Sequence, residues 1–214
     1  MRVIKRWGLF IIFLIPKSIY SQAQISTWTS IQLDYKLNGK SNLKVVPIFR
    51  HQNNISSFQD LFLDTSLDYK MNQKWKFKIL NRVVSDFKGK LGVAFFIDLS
   101  YKTDLFMFFK LVNRLRYHFG LDLEIFQKDF LRFEPKLVFD KLKGFEFTVA
   151  IDVSYNTDNS IQLYRYRHQF SGLFQIHKKI GIKVSYWLDS FPTAISQSKR
   201  NTPIVVSSLL FSLN

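Results

Sequence analysis

Four histidines and a set of alternating arginines are the residues in this chain whose types and spacing could do chemistry. His51, His118, His168 and His177 would suit an acyl hydrolase, in which a nucleophilic Ser passes its proton to a His oriented by a third polar group. In membrane-embedded phospholipases of this kind, Ser and His occupy adjacent same-face positions of one strand. Neither His118-Phe119-Gly120 nor His168-Gln169-Phe170 supplies that Ser, and Ser171 alternates to the face opposite His168. Structural or interfacial histidines fit the pattern better, and an acyl-active enzyme built on His118 or His168 is kept as the alternative from a different class. Asp152–Asp158 (DVSYNTD) has the look of a calcium loop but lacks the glycine and terminal glutamate such a loop requires. No Asp/Glu/His cluster has metal-ligand spacing, no Gly-rich run could cradle a phosphate, and no cysteine is present for a thiolate site or a disulfide. No catalytic residue, metal or cofactor is assigned.

The arginines point elsewhere. Arg165 and Arg167 lie in residues 163–176, LYRYRHQFSGLFQI, where one parity is Tyr164, Tyr166, His168, Phe170, Gly172, Phe174 and Ile176. The other parity is Leu163, Arg165, Arg167, Gln169, Ser171, Leu173 and Gln175. Side chains alternate across a strand, so such a run separates an apolar environment from a cationic one. It is longer than the about 9–11 tilted residues needed to cross a bilayer.

The same division recurs along the chain. Strands are expected at Gln24–Leu37, Leu43–Arg50, Leu61–Met71, Trp75–Val84, Leu91–Lys102, Leu105–His118, Phe130–Phe139, Phe145–Tyr155, 163–176, Ile180–Leu188 and Ile204–Leu213. Across the first ten, the apolar parity carries no formal charge, and Asn81, Asn113 and His168 are its main polar exceptions. The other parity collects Arg50, Arg82, Arg114, Arg116, Arg132, Glu134, Asp152, Arg165 and Arg167, together with Lys44, Asp64, Asp68, Lys70, Lys76, Lys78, Asp98, Lys102, Lys110, Lys136, Glu146 and Lys183. A lipid-facing Arg or Lys at midplane costs about 2–4 kcal/mol, which would explain the exclusion. Tyr69, Trp75, Tyr101, Tyr155 and Tyr186 fall near strand ends, as an aromatic girdle requires. The expected fold is therefore all-β: a transmembrane antiparallel up-and-down β-barrel of 10–12 strands.

Turns after the odd-numbered strands are short, whereas 51–60, 85–90, 119–129, 156–162 and 189–203 are longer, the pattern of short periplasmic turns and longer extracellular loops. Pro47 should place a bulge or strand end nearby. Eleven strands conflict with the even number of bacterial barrels. The expectation is either ten, with 24–37 outside the wall, or twelve, with a further strand in 119–129 or 189–203.

Composition and the N-terminus supply the compartment. The 214 residues hold 23 Phe and 9 Tyr, with 31 Lys+Arg against 16 Asp+Glu. Arg2, Lys5 and Arg6 precede the apolar run Trp7–Ile15, and Ser21-Gln22-Ala23 ends a polar stretch, which reads as a secretory signal over 1–23 cleaved before Gln24. Nine apolar residues are too few for a membrane anchor of about 20. The signal carries four positive charges and no acid, so residues 24–214, the expected barrel, fall from +15 to +11. Nucleic acid is not the expected partner of that charge, because stacking aromatics and basic residues would have to share one groove. They mostly take opposite parities in this chain.

Trp28, Tyr35, Pro47-Ile48-Phe49-Arg50, Asn113-Arg114-Leu115-Arg116-Tyr117, Arg132-Phe133-Glu134-Pro135-Lys136 and Arg165-Tyr166-Arg167 form a set of motifs spread over most of the expected barrel. In these the chain resembles an uncharacterised family of outer-membrane β-barrels, domain of unknown function 2490. The resemblance implies an outer-membrane location and a barrel shape, with no established activity. The chain departs from the pattern by ending Phe211-Ser212-Leu213-Asn214, without the terminal aromatic expected of a signal to the barrel assembly machinery. The expected role is a structural barrel with a packed Arg/Lys-rich lumen or a small anion-preferring channel, with membrane lipid and that machinery as partners. A soluble lipocalin-like binder is the remaining alternative.

Overall fold

Period-two alternation with few helix-favouring interruptions gives, among the described residues, a structure whose regular elements are all strands. The computed structural model describes residues 25–52, 57–86, 88–106, 108–120, 129–140, 144–157, 161–192 and 202–213. The expected signal segment 1–23 lies outside them, as do most of the two stretches considered for a twelfth strand. Eleven strands form the wall: β1 (Ser26–Lys36), β2 (Ser41–Gln52), β3 (Ser57–Lys70), β4 (Trp75–Asp86), β5 (Leu91–Phe106), β6 (Phe109–Gly120), β7 (Phe130–Phe139), β8 (Phe145–Asn156), β9 (Gln162–His177), β10 (Ile180–Ser190) and β11 (Thr202–Leu213).

Consecutive strands pair antiparallel all the way round, and the sheet closes where β1 meets β11. Eleven strands of alternating direction leave the first and last pointing the same way, so the closing pair must be parallel. It runs in register from Ser26 opposite Ile204 to Tyr35 opposite Leu213. The count falls within 10–12 at the odd value, and the expectation of ten or twelve does not hold. Residues 26–36 stand in the wall, and one parallel seam replaces the extra strand.

Several boundaries also differ from expectation. β5 runs on past the turn expected at Thr103-Asp104, with Thr103 pairing with Leu111 and Asp104 with Lys110 before the chain reverses. At the rim expected to carry long loops, 53–56 and 87–90 are four-residue connections, since the flanking strands run further than their alternation suggested. At Pro47 the strand neither ends nor bulges. The β1–β2 pairing lapses opposite Ile31 and Gln32, where a ladder donor is missing, and resumes in the same register. The nearest bulge falls at Arg50/His51, facing β3.

Side-chain amides shape the short turns. Asn38 Oδ1 accepts from the backbone N–H groups of Lys40 and Ser41, both at 2.8 Å. Asn72 Oδ1 does the same for Lys74 and Trp75 at 2.9 and 2.8 Å. These Asx turns fix the reversal without help from the core.

The barrel is sided as the alternation requires. No outward position of the eleven strands carries Lys, Arg, Asp or Glu. Ile79, Ile97, Leu115, Phe133, Phe147 and Phe170 are among the large apolar side chains exposed there. The buried positions are charged as often as apolar: Asp64, Asp68, Asp98, Arg116, Glu134, Asp152, Arg167 and Asp189 lie beside Phe62, Leu80, Val84, Phe96 and Ile204.

Candidate functional site

Arg50, Arg82, Arg114, Arg116, Arg132, Glu134, Asp152, Arg165 and Arg167 all take the inward parity of their strands. Cross-strand register sets most of their partners. Asp64 sits opposite Arg82, Asp98 opposite Arg116 and Asp189 opposite Arg167. Each pair is bidentate, with Nε and Nη2 donating to the two carboxylate oxygens at 2.6 and 2.6 Å, 2.5 and 2.6 Å, and 2.5 and 2.8 Å respectively. Arg132 reaches diagonally to Asp152 in the same two-pronged way, and Arg114 grips Glu134. Arg50 pairs with Asp60 at 3.0 Å, and Arg165 lies 3.5 Å from Asp189 and 3.8 Å from Asp152. All seven inward arginines are thus matched to six carboxylates in a belt around the lumen. A planar guanidinium suits this geometry because its fork matches a carboxylate and its faces stack.

Those faces are used. Arg50 lies 4.7 Å from the Trp28 ring centroid and 4.9 Å from that of Phe62. Arg82 stands 4.7 Å from Phe62 and 5.3 Å from Phe96, and Arg116 stands 5.1 Å from Phe96. Arg167 is 4.4 Å from Trp187, whose ring meets Trp28 edge-on at 5.1 Å. Trp28 is on β1 and Trp187 on β10, so this contact reaches past β11 and ties the inside of the seam. Guanidinium and aromatic rings therefore alternate through the half of the barrel toward the long-loop rim. Eight-stranded barrels can be filled by side chains and 16-stranded ones leave a channel. Eleven strands stand between these sizes, and the belt sets seven guanidinium groups and four aromatic rings into the lumen at this level.

The inward lysines occupy the other half. Lys36, Lys44, Lys70, Lys76, Lys78, Lys102, Lys110, Lys136 and Lys183 all lie toward the short-turn rim, while every inward arginine lies from the middle to the long-loop rim. Asp68 is shared by Lys76 at 2.6 Å, Lys44 at 3.6 Å and Lys78 at 3.9 Å. Lys44 also reaches Asp34 at 3.5 Å, and Lys136 meets Glu134 at 2.7 Å.

The remaining expected residues are placed as follows. Tyr69, Trp75 and Tyr101 stand outward at the short-turn rim, with Trp75 opposite Tyr101 and their rings 4.7 Å apart. Tyr155 and Tyr186 stand outward on the long-loop half, opposite Leu131 and Phe170. Phe109–Phe139 and Phe145–Phe174, at 5.4 and 4.9 Å, extend the short-turn ring of aromatics. Parity could have added them. Tyr164 leaves the outward set assigned to it. A bulge opposite Ser154/Tyr155 turns it onto the inward ring of Phe130 at 4.7 Å, and Leu163 takes the place opposite Tyr155. Asp189, expected in a loop, continues the inward parity of β10. Trp28, Trp187, Phe62 and Phe96 complete the belt, apolar side chains set on the parity that otherwise collects the charges.

The two candidate catalytic histidines are on opposite faces. His118 is stacked between Phe96 and Phe130 at 4.5 and 5.7 Å. His168 is outward, opposite Ile151 and Leu188. Asp152 is in mid-strand, held by Arg132, and Asp158 lies outside the described residues. Among the described residues, no three of His, Cys, Asp or Glu are grouped to hold a metal ion. No family model matches the chain, and no curated protein matches it.

Proposed function

We propose that this chain is an integral outer-membrane β-barrel whose role is structural, with a lumen closed at its arginine belt. The observation that supports this most directly is the uncharged exterior of all eleven strands set against an ion-paired interior. A water-soluble barrel would put its charges on the outside. The dimensions agree. The shortest strand, Phe130–Phe139, has 10 residues, which at about 3.3 Å each span about 33 Å, or about 25 Å along the axis at a tilt of about 40°. That matches the height of an outer-membrane apolar band, about 25 Å. Aromatic side chains on the outward face toward both rims suit the two interfaces.

Under this reading, Asn113-Arg114-Leu115-Arg116-Tyr117 and Arg132-Phe133-Glu134-Pro135-Lys136 contribute three of the belt's seven arginines. They are two of the segments that resemble the outer-membrane family with domain of unknown function 2490, to which we propose the chain belongs. The pairing of every inward arginine favours the closed barrel over an open anion channel, because a cation held in a bidentate fork attracts a passing anion weakly.

Fractionation tests the location. Detergent should be needed to release the protein from envelope membranes, and the folded form should migrate faster than the boiled form on gels. Release by high salt alone would refute the proposal. In planar bilayers the protein should show no steady conductance, and a reproducible open level in the wild type would refute the closed lumen.

A further inference from the structure

The two kinds of cation inside this barrel are segregated, and their charge balance differs. The arginine belt is close to neutral, with seven guanidinium groups against six paired carboxylates and Asp86 beside them at the rim. The lysine half holds nine ammonium groups, facing Asp34, Asp68 and Glu146 inside, with Asp104 and Asp140 at the rim. Three lysines crowd onto Asp68, and Glu134 serves both Arg114 and Lys136. Lys183 makes no ion pair among the described residues. Lys183 lies within electrostatic reach of Arg114 and Lys44, opposed by Glu146, and Lys136 within reach of Arg114, Lys183 and Arg116, opposed by Asp98. Cations from β2, β6, β7 and β10 therefore act on one another inside the lumen, where they outnumber the carboxylates.

Accessibility follows the same division. Ion-paired inward lysines keep between 21% and 41% of their side-chain surface and the arginines between 7% and 24%, so the two ranges meet but the lysine half is the more open. No inward position on this half of the strands is aromatic, and Gln32, Asn42, Ser100 and Ser208 supply polar side chains instead. An ammonium group is compact and strongly hydrated, which suits a wet cavity, while the guanidinium belt suits a dry plug.

We infer that the lysine half of the lumen is a binding vestibule for small, soluble, multiply charged phosphate- or sulfate-type oxyanions, entered from the short-turn rim and dead-ended by the arginine belt. Like charges lining a low-dielectric recess concentrate counter-ions within it. An anion with two or more charged groups meets several of these ammonium groups at once and relieves their mutual repulsion. The continuous wall gives a bilayer lipid no sideways entry, so the ligand comes from solution. This inference does not depend on which membrane, if any, holds the barrel.

Pyrophosphate titrated calorimetrically into the full chain in zwitterionic micelles tests it. One site per chain is expected, weakened about tenfold or more by Lys136→Gln with Lys183→Gln, as loss of charge-assisted hydrogen bonds implies. Lys40→Gln with Lys74→Gln, in the turns, should leave it unchanged. In the wild-type protein, pyrophosphate should shield Lys44, Lys136 and Lys183 from a water-soluble acylating reagent while Lys40 and Lys74 stay reactive. This second readout needs no variant to fold. Equal shielding of all five lysines, or binding unaffected by the lumen substitutions, would overturn the site. Displacement of pyrophosphate by an equal concentration of short-chain phosphatidate would overturn the soluble ligand.

Discussion

Arg116 and Asp98 offer the sharpest test of the belt, because breaking the pair should cost several times more than removing it whole. The Asp98 side chain keeps 2% of its surface and Arg116 10%, joined at 2.5 and 2.6 Å. Replacing Arg116 with Met leaves a buried carboxylate whose next cation, Arg114, stands 3.8 Å away. Breaking a buried pair by removing one partner typically costs about 3–5 kcal/mol. Arg114 should hold the loss near about 3 kcal/mol on that scale, and loss of the contact with the Phe96 ring adds about 0.5–1 kcal/mol. Replacing both, Asp98→Leu with Arg116→Met, takes away both desolvated charges and should return to within about 1 kcal/mol of wild type. Equilibrium unfolding in denaturant, followed by tryptophan fluorescence of the barrel refolded into lipid vesicles, gives all four corners of the cycle. A single-variant loss below about 1 kcal/mol, or a double-variant loss equal to the sum of the singles, would refute the claim that this is a buried, mutually dependent pair.

Other outcomes follow from different parts of the wall. Ile97→Lys, outward in mid-strand, should destabilise the barrel in vesicles by about 2–4 kcal/mol, and a negligible change would argue that this face is wet. Phe96→Ala should cost about 3–5 kcal/mol by leaving a cavity beneath Arg82 and Arg116, read in the same unfolding assay. Pro47→Val restores a donor where the β1–β2 ladder lapses and should stabilise by about 0.5–1.5 kcal/mol; a loss instead would mean the gap is not set by the missing N–H. Gly144 has φ of 80°, so Gly144→Ala should cost about 1–2 kcal/mol in unfolding free energy.

Much of this architecture could be read from the sequence because strand side chains repeat every two residues. Once Arg114 and Arg116 face inward, Asn113, Leu115 and Tyr117 must face outward. That logic places every charged residue of the belt that belongs to a clear run, but it does not single out Trp28, Phe62, Phe96 or Trp187, whose apolar types hide them among the charges. It failed where the period slips: the bulge that turns Tyr164 inward leaves no trace in composition. It also failed at strand ends, where Asp189 and Thr103 were assigned to connections although pairing continued through them. Strand parity says nothing about how the first and last strands meet, so an odd count looked like an error when it was a parallel closure. The segregation of lysine from arginine was present in the residue names throughout. It acquires meaning only when alternate strands are reversed and both ends of the lumen can be compared.

The seam has a consequence for how the molecule comes together. Ten of the eleven neighbouring pairs join strands consecutive in the chain, and only β1 with β11 does not. Each hairpin can zip onto the one before it across a short link, whereas the final join must capture partners such as Ser30 and Ser208, 178 positions apart. Drawing in that much chain carries an entropy penalty about 3 kcal/mol above that of a four-residue turn. An unclosed sheet would hold two raw edges, each a template for mispairing. Damage along the seam should therefore surface as slow, low-yield assembly, and damage within a hairpin as faster collapse of the finished barrel.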